Sequence, residues 1–167
     1  MNDLLQRISS YNLFNYLLPG VVFVALSARV TRHSFVQPDL LLAAFVYYFI
    51  GLVISRFGSL VIEPTFKWLR VVRFVDYRDF VSACKQDDKI ELLSEANNTY
   101  RTLCATFVLL GLLMSYDWLT NTWPLLRART PVLVALALIL LFAASYRKQT
   151  AYVRKRVEAA GSGVIRP

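Results

Sequence analysis

The densest group of chemically versatile side chains is Ser94-Glu95-Ala96-Asn97-Asn98-Thr99-Tyr100-Arg101. A carboxylate, two amides, a phenol and a guanidinium fall within about two helical turns. Such a set could receive a small anionic ligand or a partner protein. It could equally pack against amphipathic helices or between subunits. Glu95 also closes a run of carboxylates with Asp87, Asp88 and Glu91 that could bind a divalent ion. No turn-forming glycine makes an EF-hand loop of them, and helix capping plus a solvated face accounts for the same residues. Further candidates lie inside apolar sequence. Arg56 interrupts a long apolar run and can snorkel to the near interface or pair with Glu63, on the same helical face. Asn12, Asn15 and Pro19 share one side of a helix, suited to interhelical hydrogen bonds or to lining a cavity or pore.

No catalytic constellation emerges. The one histidine, His33, has no second ligand in reach for a metal site, and a triad would depend on it. The six glycines form no phosphate-binding loop. The two cysteines, Cys84 and Cys104, fall in a cytoplasmic segment and at the membrane edge under the topology below, so no disulfide is expected. The sequon Asn97-Asn98-Thr99 is idle in a cytoplasmic segment. These residues point to a non-enzymatic protein without cofactor or metal.

The elements that must position the candidates are membrane helices. Hydrophobic residues make up 56% of the chain and charged residues 18%, respectively above and below the shares of a soluble globule. Mean hydropathy is +0.45, and the apolar residues are clumped into runs near the ~20 residues a span needs. Leu4, Leu5 and Ile8 form an amphipathic lead-in to the first run, in which Pro19-Gly20 predicts a kink. Asp39 caps the second run, where Gly51 and Ser55 suit close packing of another helix. Pro64 reads as the first turn of a new helix. Lys67, Arg70 and Arg73 recur three apart beside Phe66, Trp68, Leu69 and Phe74. This predicts an interfacial helix over 64–75, with Lys67, Trp68, Arg70 and Arg73 on anionic headgroups.

Asp76 caps a short helix, and no proline or glycine separates Asp87 from Gly111. One helix should therefore run from Asp87 into the third span, with Tyr116 and Trp118 as its far aromatic belt. Thr130 and Pro131 read as the cap and first turn of the fourth span.

The net charge of +8 is placed as membrane anchors are. Fifteen of the 19 lysines and arginines fall on one side of this topology, which makes that side cytoplasmic by the positive-inside rule. Lipid headgroups explain the basic and aromatic pattern better than nucleic acid does. Met1 to Ser10 is followed by no small-residue cleavage site, so the first run reads as a retained span.

Four stretches carry a resemblance. They are Tyr11 to Gly20, Tyr48 to Arg56, Asp76 to Phe80, and Ser94 to Thr102. Together they resemble small bacterial polytopic membrane proteins associated with phage-defence loci, of which the four-span component of the Kiwa system is one architectural example. The resemblance implies an inner-membrane partner or membrane-damaging effector and assigns no functional residue.

The sequence thus predicts an all-α integral membrane protein with four transmembrane helices, at about 11–30, 40–62, 102–119 and 131–147. A cytoplasmic helical cap over 63–101 lies between spans two and three, and a basic cytoplasmic helix follows over 147–160. Both termini face the cytoplasm of a bacterial inner membrane. The expected function is a defence component that senses or perturbs the membrane, as a homo-oligomer with a cytoplasmic protein partner. A passive anchor for such a partner and a channel or transporter subunit are the alternatives. Coupling would rest on Asn12, Asn15, Arg56, Glu63, Glu95, Asn97, Asn98, Tyr100 and Arg101.

Overall fold

The structure, a computed structural model, describes residues 13–161. It contains helices α1 (Leu13–Val30), α2 (Leu40–Trp68), α3 (Tyr77–Cys84), α4 (Lys89–Thr122) and α5 (Pro124–Gly161). All but α3 are long and apolar enough to cross a membrane. The fold is all-α, with no strand among the described residues.

Prolines shape the first two spans, and a π-helical turn precedes each. Leu13–Leu17 leads into Pro19, and Gly58–Ile62 leads into Pro64. A proline inside a helix has no N–H to donate, and its ring crowds the carbonyl four residues back. Widening the preceding turn moves that carbonyl away, an adjustment that lets membrane helices keep proline. At Glu63 the N–H accordingly reaches back five residues to the Gly58 carbonyl. Helix α2 therefore continues through Glu63 and Pro64, where the sequence suggested a fresh start.

Helix α2 stops at Trp68, which corrects the interfacial helix expected over 64–75. Arg70 adopts a left-handed conformation with φ 60°. Its N–H donates to the Lys67 carbonyl at 3.1 Å, and the Val71 N–H donates to the Phe66 carbonyl at 2.9 Å. This is a Schellman stop, usually built on glycine; an arginine there costs about 1 kcal/mol. Lys67 and Trp68 stay on the helix while Arg70 and Arg73 leave it, so the basic stripe is broken.

The remaining boundaries are local chemistry. The Asp39 carboxylate accepts the Leu42 N–H at 2.7 Å, and the Asp76 carboxylate accepts the Arg78 N–H at 2.9 Å. Helix α4 runs unbroken for 34 residues, about 51 Å at the α-helical rise, so it extends well beyond an apolar core of about 30 Å. Trp123 alone separates α4 from α5. It is held extended, at φ −128° and ψ 83°, as a residue before proline is. Pro124 opens α5 and Pro131 lies inside it, which corrects the start expected at Thr130-Pro131. The Thr130 hydroxyl pairs with the Tyr116 hydroxyl instead.

Helices α1 and α2 meet backbone to backbone. Gly20 faces the Tyr47 carbonyl and Gly51 faces the Tyr16 carbonyl, so a methyl group on either glycine would overlap the opposite main chain. Such contact is how small residues let membrane helices approach. Gly58, two turns beyond Gly51, lies against Ala105 of α4, and Ile54, Ile62 and Ala105 form the buried core beside it. At the opposite end Arg32 donates to the Asn121 Oδ1 at 2.7 Å, tying the α1–α2 loop to α4. Of the four long helices α5 packs least, with no buried residue in its apolar window.

Gly51→Ala should therefore lower the melting temperature in detergent, at a cost of about 1–3 kcal/mol or more from overpacking. Gly111, with open space around its Cα, is the control: Gly111→Ala should leave the melting temperature unchanged or raise it.

Candidate functional site

One carboxylate gathers the helix ends on the side rich in lysine and arginine. Glu63 lies just past the π turn of α2, and only 8% of its side chain is exposed. Its Oε2 accepts Arg101 Nη1 of α4 at 3.0 Å. Its Oε1 accepts Lys67 Nζ, one turn along α2, at 3.0 Å, and Lys148 Nζ of α5 at 3.4 Å. Lys148 also donates to the Ser59 carbonyl at 2.7 Å and hydroxyl at 2.8 Å. Three elements are thus held by one group, and the π turn presents both Ser59 and Glu63 to Lys148. A surface ion pair stabilises little, but a carboxylate this buried depends on its partners, because an uncompensated buried charge is costly.

About two helical turns toward the apolar interior lies a second layer. The Asn15 amide of α1 donates to the Ser55 hydroxyl of α2 at 3.3 Å. The Thr102 hydroxyl of α4 donates to the Asn15 Oδ1 at 2.9 Å, a proton it shares with the Asn98 carbonyl at 2.8 Å. Asn15, Ser55 and Thr102 are all buried, at 1%, 3% and 0% exposure. Polar contacts of this kind in a membrane contribute about 0.6 kcal/mol each on average, so the layer fixes register more than it adds stability. Between the two layers, Arg56 Nη2 donates to the Tyr16 hydroxyl at 3.4 Å.

The structure sorts the candidates. Asn12 lies outside the described residues. Asn15, Arg56, Glu63 and Arg101 come together on the α1–α2–α4 face. Glu63 is paired with Lys67, Arg101 and Lys148, not with Arg56, which corrects the direct pairing considered from their spacing. The Glu95 to Arg101 group does not form one site. Tyr100 is 70% exposed and Asn97 is exposed, Glu95 contributes its carbonyl to Thr99, and Asn98 contributes its carbonyl to Thr102. Of the residues assigned to headgroups, Lys67 joins the site while Trp68, Arg70 and Arg73 are exposed away from it.

Sequence reasoning missed Ser59, Thr102 and Lys148. Lys148 had a signal: Ser145, Lys148, Gln149 and Tyr152 recur at helical spacing, a polar face on the end of an apolar helix. Thr102 is masked by its β-branched, span-like context. Chemically the site is a set of fixed charges and hydroxyls, and among the described residues no three histidine, cysteine or carboxylate groups converge as for a metal.

Glu63→Gln should lower thermal stability by about 1–3 kcal/mol, since it leaves three cations around a neutral amide. Pairing it with Lys148→Met should recover part of that loss, a coupling of about 0.5–3 kcal/mol measurable in a double-mutant cycle. No protein-family model, curated protein or solved structure matches this chain, so the reading of the site rests on its geometry.

Proposed function

We propose that this chain is a non-enzymatic coupling component of a bacterial inner membrane, acting in antiviral defence. Its Glu63 cluster and both termini face the cytoplasm. The positive-inside bias supports that orientation, and the resemblance of four sequence stretches to phage-defence membrane proteins supports the setting. The end of α2, helix α3 and the start of α4 then form the cytoplasmic cap. A cytoplasmic protein partner would bind there, and copies would assemble through α5, whose apolar window is unburied within the monomer.

A single observation carries the coupling. Arg101 and Thr102 are consecutive residues of one unbroken helix. The first holds the ion cluster, and the second holds the buried polar layer. A load on the exposed turns from Lys89 to Tyr100 therefore reaches both layers along one rigid rod, and with them α1, α2 and α5.

Reporter fusions test the orientation. Alkaline phosphatase inserted after Ser34 should be active and after Gln86 inactive; the opposite pattern would invert the orientation. A voltage-sensitive dye tests the function, in a bacterial host expressing this chain with the products of its neighbouring genes. Phage infection should depolarise the native strain, and Glu63→Gln and Asn15→Ala should blunt the response. Unchanged potential in the native strain would sink the effector reading. Full protection by both variants, with protection lost only on substitutions in α3, would favour a passive anchor.

A further inference from the structure

A small cavity opens between α2 and α5 beside the ion cluster, with a volume of about 30 Å³. Its lining comprises Arg56, Ser59, Leu60, Ser145, Lys148, Gln149 and Tyr152. Two cations and four neutral polar groups line it, and no carboxylate does. The nearest acid is Glu63, already shared among Lys67, Arg101 and Lys148. With Arg56 of the lining included, four cations and one carboxylate lie in or beside the cavity.

Several lining donors have capacity to spare. Among the described residues Arg56 donates one hydrogen bond, to the Tyr16 hydroxyl, although a guanidinium has five N–H groups. The side chains of Gln149 and Tyr152, both in the lining, donate none among those residues. An excess of positive charge and unfilled donors at a membrane boundary calls for an anion with several acceptor oxygens. Below the cavity the α2–α5 face turns apolar: Phe49 and Phe142 pack with tilted rings, centroids 6.2 Å apart, and Phe49 is exposed. A headgroup phosphate in the cavity would leave its acyl chains along this face.

We propose that the α2–α5 cavity is a binding site for the phosphate of an anionic phospholipid. Arg56 supplies a two-pronged contact to the phosphate oxygens. Gln149 and Tyr152 supply neutral donors, and Lys148, committed to Ser59 and Glu63, supplies field. Basic pockets between membrane helices hold anionic headgroups in this manner. The lipid would also bridge α5 to α2 where the direct packing of α5 is sparse, and so complete the grip that Lys148 begins.

The test uses the full-length protein purified in mild detergent, with retained lipid counted by native mass spectrometry and melting temperature followed on addition of phosphatidylglycerol, phosphatidylcholine or inorganic phosphate. Phosphatidylglycerol should be retained and should raise the melting temperature, while phosphatidylcholine should do neither. Arg56→Gln should weaken phosphatidylglycerol retention by about tenfold, the loss of one charge-assisted contact. If Arg56→Gln fails to fold, Gln149→Leu with Tyr152→Phe should give a smaller loss in the same direction. Arg70→Gln with Arg73→Gln, both outside the cavity, should retain lipid as the native protein does. Stabilisation by inorganic phosphate as strong as that by phosphatidylglycerol, and abolished by Arg56→Gln, would assign the same chemistry to a free phosphate. Equal loss from the Arg70 and Arg73 substitutions, or no dependence on Arg56, would overturn the proposal and leave only diffuse attraction to headgroups.

Discussion

A carboxylate at the end of an apolar helix has few places to go. It can reach water, become neutral, or gather cations, and Glu63 gathers cations from its own helix, from α4 and from α5. Much of the arrangement on that side serves this one group. The π turn before Pro64 presents Glu63 and Ser59 together toward Lys148. Helix α4 is long enough to bring Arg101 to the same level, and α5 extends its polar face past the apolar window to bring Lys148. Without the carboxylate, three cations would converge on one another, and like charges at this range repel strongly once partly removed from water.

The buried layer answers a different constraint. Hydrophobic burial does not select one packing of apolar helices in lipid, because lipid is as apolar as a leucine surface. Selection falls to shape and to polar groups that must find partners. Gly20 and Gly51 bring α1 and α2 into main-chain contact, and Asn15, Ser55 and Thr102 then fix the rotation and height of three helices at once. The ion cluster and this layer are joined by the peptide bond between Arg101 and Thr102. Displacement of one without the other would require α4 to deform.

What could be read in the sequence was local. Asp39 and Asp76 cap the helices they precede, the four apolar runs become four long helices, and the stretch from Lys89 to Gly111 stays helical because nothing in it breaks a helix. Two boundaries misled. The stop at Trp68 is made by a left-handed Arg70, a residue type that gives no warning of that conformation. Pro131 looked like a start because the stronger signal, Pro124 after an extended Trp123, sits only seven residues earlier. The site was half visible: Asn15, Arg56, Glu63 and Arg101 stand out as polar groups at apolar borders. Their partners Ser59, Thr102 and Lys148 depend on which helices are neighbours, and one sequence does not carry that information.

Glu63 holds the ends of α2, α4 and α5 together on the side rich in lysine and arginine. Electron–electron distance measurement in lipid nanodiscs tests it most directly. Spin labels would be placed at the exposed positions Ala96 on α4 and Ala151 on α5, with Cys84 and Cys104 replaced by serine. A single narrow distance distribution is expected in the otherwise native protein, and a broader distribution shifted to longer distance in Glu63→Gln. An unchanged distribution in that variant would contradict it.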